Sequence, residues 1–436
     1  MKLKCVIYAP VDTSSGYGAR SRDLVKSIIN LKKEEWDIRI IPCNWGNTAH
    51  GFTDNPEWSY LKELFIPQLQ YQPDIWIMIT VPNEFKRVGK YNIGITAGIE
   101  TTICDPSWVE GINQMDLTLV SSEHAKKVFQ EVNFDKVDQR TNQKVSSIKV
   151  EKPVEVLFEG ANLDVFKILD KEEEYTKESL VSTLYNIPEN FCYLFVGHWM
   201  QGNMGEDRKN VGLLVKSFYE TFKNKKKKPA LILKTSGANC SYGDRDQILQ
   251  KIYQIKGSVN SDDLPNIYLI NGELSDAEIN ELYNHPKVKA MVSLTKGEGF
   301  GRPLLEFSLI KKPIICSGWS GQLDFLKPEF TNLIPGTLTE VHETAAVPNI
   351  LLREAKWFTP SSAHIGQYLK DVFEKYHEYT ERAKRQAFFS KTNFSFEKMQ
   401  EKLDNLLTTY LPDFPKPIKL KLPQLGKISM PKRVEV

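Results

Sequence analysis

The residues best suited to chemistry lie in one short segment, Gly297-Glu298-Gly299-Phe300-Gly301-Arg302-Pro303-Leu304-Leu305-Glu306. An ionised carboxylate only accepts hydrogen bonds, so Glu298 and Glu306 could each hold neighbouring hydroxyls of a sugar or a ribose. Gly299 and Gly301 remove side chains where backbone N–H groups must come close to a ligand. Pro303 suits the first turn of a helix, where its missing N–H costs nothing. A helix N-terminus with such a lead-in is an anion site for a diphosphate. Phosphate donors and two hydroxyl-gripping carboxylates on one element fit a nucleotide sugar. A surface turn would explain the glycines alone; it does not explain the paired glutamates.

Further candidates surround this segment. Asp207-Arg208-Lys209-Asn210 precedes a predicted helix and supplies two cations, and Lys234 ends a predicted strand as a third. In the first half, Ser14-Ser15-Gly16-Tyr17-Gly18-Ala19-Arg20 follows the first predicted strand and opens a helix. It imitates a dinucleotide fingerprint, but Ser21 stands where the third glycine belongs, which disfavours NAD. Glu100, in the loop Gly98-Ile99-Glu100-Thr101-Thr102, could orient or deprotonate an acceptor hydroxyl; a capping or surface glutamate fits that loop equally well. His124, at a predicted helix start after Ser121-Ser122, reads as structural. Asp244-Arg245-Asp246 has the D-x-D form of metal-dependent transferases, yet it falls at a helix start, where aspartates cap. No Walker A loop or H-E-x-x-H element is present.

The elements that must position these residues alternate between strand and helix. Strands are predicted at Val6–Ala9, Ile38–Pro42, Ile75–Ile79, Ile93–Ala97, Leu117–Val120 and Val154–Leu157, with helices over Ala19–Leu31, Pro106–Met115 and Glu123–Glu131. After a charged stretch at Lys167–Glu178 the rhythm restarts. Strands follow at Tyr193–Val196, Ala230–Lys234, Ile267–Ile270, Ala290–Leu294 and Pro313–Cys316, and helices at Val211–Phe222, Arg245–Ile255, Ser275–Tyr283 and Pro303–Ile310. This alternation predicts two doubly wound α/β domains facing a central cleft, with ligands beyond the carboxyl ends of the strands. Residues 1–166 form the N-terminal domain and 167–390 the C-terminal domain. A helix over 391–411 is expected to pack back toward the first domain, ahead of a Pro/Lys-rich tail at 412–436. Asp135–Lys152 reads as a polar loop insertion.

Composition bounds the class. The 57 basic and 55 acidic residues nearly balance, which gives no strong polyanion signal. No apolar run reaches the ~18 residues of a membrane span, and the N-terminus reads as a strand rather than a secretion signal. The six cysteines (Cys5, Cys43, Cys104, Cys192, Cys240 and Cys316) form no C-x-x-C pair. That is the usage of buried thiols in a reducing compartment, so a cytoplasmic location is expected.

The spacing from Glu298 to Glu306 resembles the E-x7-E arrangement of retaining GT-B glycosyltransferases, especially glycosyltransferase family 4. The resemblance implies that Glu298 contacts the transferred sugar and Glu306 the nucleotide ribose. Gly272-Glu273-Leu274-Ser275 resembles the family's base-binding loop, which makes Leu274 a donor contact. Gly299, Phe300 and Gly301 join it, and Gly16, Tyr17 and Gly18 match the glycine-rich loop facing acceptor and donor phosphate. Lys209 matches the family's lysine; the arginine expected after the first strand of this domain is absent, since Gly197 is followed by His198 and Trp199. Arg208 is the candidate replacement. The implied activity is metal-independent, retaining transfer from a UDP- or GDP-linked sugar, without a cofactor, to a glycan or lipid-linked acceptor. Two alternatives stay open: a DNA-base acceptor, supported only by Lys223–Lys228 and the basic tail, and a nucleotide-sugar-binding protein without turnover.

Overall fold

A computed structural model describes residues 2–46, 48–138, 140–141, 143–169, 180–237 and 240–414. Residues 170–179, which include most of the predicted charged stretch, and 415–436 of the tail lie outside them. In the first half, β1 (Leu3–Ala9), α1 (Gly16–Lys32), β2 (Trp36–Pro42), β3 (Ile75–Ile79), β4 (Tyr91–Ile95), α2 (Pro106–Gln114), β5 (Leu117–Val120) and α3 (Glu123–Glu131) follow in turn. They are succeeded by β6 (Asn133–Val137), β7 (Lys144–Lys149) and β8 (Val154–Val156). The parallel sheet runs β2-β1-β3-β4-β5-β8. β3 is Ile-Trp-Ile-Met-Ile and buried at every position, the unbroken apolar run of a strand covered on both faces. α1 starts where the Ser15 hydroxyl accepts from the Gly18 N–H at 2.9 Å, an N-cap that fixes the direction in which the helix leaves the sheet.

The second half repeats the plan with β9 (Cys192–Val196), α4 (Val211–Phe222), β10 (Ala230–Lys234), α5 (Tyr242–Gly257), β11 (Ile267–Ile270) and α6 (Asp276–Asn284). β12 (Val288–Ser293), α7 (Arg302–Ser308), β13 (Ile314–Ser317) and β14 (Asn332–Ile334) complete it. Its parallel order is β11-β10-β9-β12-β13-β14. The order reverses between β1 and β3 in one sheet and between β9 and β12 in the other, so each sheet opens a crevice at the carboxyl ends of those strands. An antiparallel ribbon, β15 (Gly336–Glu340) and β16 (Lys356–Pro360), and the helices α8 (Ser362–Glu374), α9 (Tyr376–Asn393) and α10 (Phe396–Tyr410) follow.

Two segments differ from the sequence reading. Asp135–Lys152 is not a plain loop: β6 and β7 pair antiparallel within it. Its mostly exposed, Lys- and Ser-rich strands lack the apolar face on which strand patterns are recognised. In the ribbon β15–β16 every residue of β15 is exposed, and β16, Lys-Trp-Phe-Thr-Pro, buries two neighbouring residues instead of alternating. The ribbon nevertheless bridges the halves: Thr102 N–H donates to the Lys356 carbonyl at 2.9 Å, and Trp108 Nε1 donates to the Asn349 carbonyl at 2.8 Å.

The chain passes between the halves at 161 and again at 394–396, and the two passages are paired. Ala161 N–H donates to the Phe394 carbonyl at 2.9 Å and Phe396 N–H to the Ala161 carbonyl at 2.8 Å. Gly160 permits this approach, because a Cβ there would meet Phe396 Cα at 2.6 Å. α10 then lies against α1, with Lys32–Asp404 at 2.8 Å and Tyr410 OH donating to Glu155 Oε1 at 2.7 Å. Its Met399, Leu403 and Leu407 form one buried stripe at four-residue spacing.

Candidate active site

The loops after β9 and β12 meet at the switch point of the second sheet. Lys209 Nζ lies 2.5 Å from Glu298 Oε1. Arg208 Nη1 donates to the Gly297 carbonyl at 2.9 Å and lies 3.4 Å from Glu298 Oε2 and 3.6 Å from Glu100 Oε1. Asn210, with φ +57°, turns the chain from these cations into α4. Glu298 is 8% exposed. Burial works to raise its carboxyl, but Lys209 and Arg208 outweigh that and hold it below its ordinary value. Burial depresses Lys209, with Glu298 opposing. Arg208 moves the other way: burial acts to lower it, but Glu100 and Glu298 raise it. The structure thus brings Glu298, Lys209, Arg208 and Glu100 together, three from the second half and one from the first.

The glycines divide by what they do. A Cβ on Gly297 would meet the Glu100 carbonyl at 1.9 Å and one on Gly299 the Ala97 carbonyl at 2.2 Å. These glycines let the two halves touch, with the Ser121 hydroxyl 2.9 Å from the Gly299 carbonyl. Gly301 is required for a different reason, its φ of +100°. Phe300 is 2% exposed and its ring packs on Phe325 at 4.9 Å, so it is a core residue rather than a ligand contact through its side chain. Gly18 admits Thr13, whose carbonyl would lie 2.2 Å from a Cβ, whereas Gly16 has open space. Tyr17 ties this loop to β4: its OH is 2.9 Å from Thr96 Oγ1 and accepts from Ala97 N–H at 3.1 Å.

Glu306 is also buried, at 6% exposure. Tyr283 OH donates to its Oε2 at 3.1 Å and Arg302 Nε to its Oε1 at 2.9 Å. Burial pushes the carboxyl up to about 7 against the pull of Arg302. Arg302 Nη1 reaches across to Asp23 Oδ2 on α1 at 2.6 Å. Sequence reasoning passed over Arg302. The available signal was a cation inside the two-glutamate segment, four residues before Glu306 and on its face of the helix. α7 has only seven residues, too short for a full helix dipole, so side-chain cations supply most of the positive charge at this corner.

A cavity of about 310 Å³ opens between the halves beside this network. Lys234, Leu274, His198 and Arg302 line it from the second half, and Ser15, Arg22 and Asp23 from the first. Glu298, Lys209 and Glu306 do not line it; each is held in an ion pair. His198, at the position of the missing arginine, is 3.1 Å from Ser236 Oγ through Nδ1. Burial, followed by Lys209 and Lys234, lowers its pKa, so these cations converge on one place.

The remaining candidates lie elsewhere. His124 packs edge-on against Trp319 at 4.6 Å, and burial lowers it to about 4. Ser241, not an aspartate, caps α5; Asp244 instead accepts from Gly237 N–H at 2.9 Å and from Asn271 at 3.0 Å, fastening a loop. Lys223–Lys228 links the end of α4 to the start of β10, at the amino ends of the strands and so opposite Glu298. Lys223 and Lys228 each pair with an acid at 2.5 Å. Cys43 and Cys240 are half-buried, unlike the other four cysteines. Among the described residues no helix is long and apolar enough to cross a membrane.

No protein-family model and no curated protein matches the chain in sequence. Solved structures do match in shape. A glycosyltransferase from Rickettsia africae superposes with a TM-score of 0.61 at 14% identity, over 95% of this chain and 100% of that one. Sucrose-phosphate synthase from Thermosynechococcus elongatus gives 0.61 at 11% identity, over 94% and 99%. HepE from Anabaena, in complex with UDP and glucose, gives 0.58 at 10% identity, over 93% and 100%. Two parallel six-stranded sheets, each reversing its order at a shared cleft and matched across these full lengths, give this chain the GT-B fold.

Proposed function

We propose that this protein is a glycosyltransferase that moves a sugar from a nucleotide-sugar donor to a hydroxyl acceptor. The observation that carries the reading is the Glu298 carboxylate, held at 2.5 Å by Lys209 where the loops of β9 and β12 meet, beside a cavity lined by Lys234 and Leu274. Leu274 takes the base side, Glu306 the ribose hydroxyls and Glu298 the hydroxyls of the transferred sugar. Lys209 then exchanges Glu298 for the departing diphosphate, whose developing charge is the largest electrostatic demand of the reaction. Arg208, already spent on Gly297, Glu298 and Glu100, orients the two carboxylates. Glu100 faces the acceptor hydroxyl from the first half. Protein cations carry the charge that a metal ion carries in other transferases, and the acceptor attacks the face that the leaving group departs, with net retention. The acceptor in this reading is a glycan or a lipid-linked sugar.

The test is incubation with a panel of UDP- and GDP-linked sugars, followed by product analysis for slow hydrolysis and for anomeric configuration. Turnover of one donor, lost in Glu298→Ala and Lys209→Ala variants that remain folded, supports the proposal. Unchanged turnover in both variants removes it.

A further inference from the structure

We infer that Arg302 is the second diphosphate-binding cation of the donor site, in place of the arginine missing after Gly197, and that it trades an interdomain ion pair for the ligand. The inference rests on the proposed donor site and deepens it. Arg208 is poorly placed for this work: its guanidinium already meets the Gly297 carbonyl, Glu298 and Glu100. Arg302 lines the cavity, together with Lys234 and His198.

The guanidinium of Arg302 is divided three ways. Nε donates to Glu306 at 2.9 Å and Nη1 to Asp23 at 2.6 Å, while Nη2 has no protein partner among the described residues. A planar guanidinium fixed along one edge presents its remaining N–H groups in a set direction, which suits a phosphate oxygen better than a lysine would. The partner acids belong to different halves: Asp23 is on α1 of the first sheet's layer and Glu306 on α7 of the second's. An anion in the cavity competes with Asp23 for the same cation, so binding of the diphosphate and the grip between the halves draw on one group. Glu306, the proposed ribose contact, is oriented by the same side chain. A cation that held the halves together and nothing more would have no need of the cavity wall.

The test measures binding of inorganic pyrophosphate, UDP, GDP and uridine by calorimetry at low and high salt. It compares the wild type with Arg302→Gln, Arg302→Lys and the double variant Arg302→Gln/Asp23→Asn, which leaves no unpaired acid at position 23. Pyrophosphate and diphosphate affinity should fall roughly 10- to 100-fold in Arg302→Gln and in the double variant, the range for a lost charge-assisted hydrogen bond. It should fall less in Arg302→Lys, and uridine, which Arg302 serves only through Glu306, should lose less affinity than pyrophosphate and the diphosphates do. If Arg302→Gln does not fold, Asp23→Asn decides alone: freeing Nη1 should tighten pyrophosphate binding at low salt, and unchanged or weaker binding overturns the inference. Wild-type diphosphate affinity retained in folded Arg302→Gln leaves a donor site but makes Arg302 purely structural. A wild type that binds neither pyrophosphate nor any nucleotide overturns both the inference and the donor site.

Discussion

Replacing Gly299 by alanine should push the two halves of the site apart. The added Cβ would lie 2.2 Å from the Ala97 carbonyl oxygen, about 1 Å short of the 3.4 Å at which ordinary contact begins. The obstacle is backbone on both sides, so no side-chain rotation relieves it. The loop after β12 must retreat from the loop after β4, stretching the 2.9 Å contact between Ser121 and the Gly299 carbonyl. Overpacking of this kind costs about 1–3 kcal/mol, readable as a lower urea midpoint with an unchanged slope. The catalytic consequence should be larger, since a displacement of ~1 Å can lower a rate ~100-fold. Gly16→Ala is the control: it has open space and an ordinary φ, and should gain about 0.4–1 kcal/mol by restricting the unfolded chain. A Gly299→Ala protein with wild-type midpoint and wild-type donor turnover would refute the assignment of Gly299 to the contact between the halves.

Other perturbations probe the charges and the core. Lys209→Ala leaves the buried Glu298 with Arg208 alone and should lose about 1–3 kcal/mol of stability and ~100-fold in turnover; intact turnover in steady-state assays would remove Lys209 from the chemistry. Glu306 has a folded value of about 7, above its ordinary 4.5. Its contribution to stability is therefore complete below 4.5 and is lost as pH rises through 7, at most about 3 kcal/mol in all. Urea titrations across this range should show the loss in the wild type and a flatter profile in Glu306→Gln; parallel profiles count against it. Leu403→Ala, at a position 1% exposed, should cost about 2–5 kcal/mol and loosen α10, seen as faster proteolysis near Phe394. A loss below about 1 kcal/mol would mean that the α10 stripe adds little.

Most of the sheet framework could be read in advance because its strands are short apolar runs between turns. β3, β5, β10 and β11, with α3 and α4, begin and end where their sequences predict. The exposed pair β6–β7 and the exposed strand β15 carried no such pattern. Within the site, Glu298 and Lys209 were legible because each belongs to a compact local motif. Arg302 was not, since an arginine four residues before a glutamate is the ordinary pattern of a solvated helix face. Its other partner, Asp23, is 279 residues away in the chain. Nor does sequence separate Gly299, which admits a neighbouring backbone, from Gly16, which admits nothing: the difference lies entirely in what stands opposite each Cα.

The bridge between the two crossovers at Ala161 and Phe394–Phe396 has a mechanical consequence. A single connection would let the halves twist and slide as well as rock. Two crossovers joined by a pair of backbone hydrogen bonds resist sliding past each other more than bending about the joint. Sliding would break both hydrogen bonds of Ala161, whereas rocking strains neither. Rocking is therefore the motion that these two bonds oppose least, like a leaf turning on a stiff spine. On closing about this joint, Gly297 and Gly299 would return to the same carbonyls of Glu100 and Ala97, so the alignment of the two walls would be a property of the spine rather than of whatever lies between them.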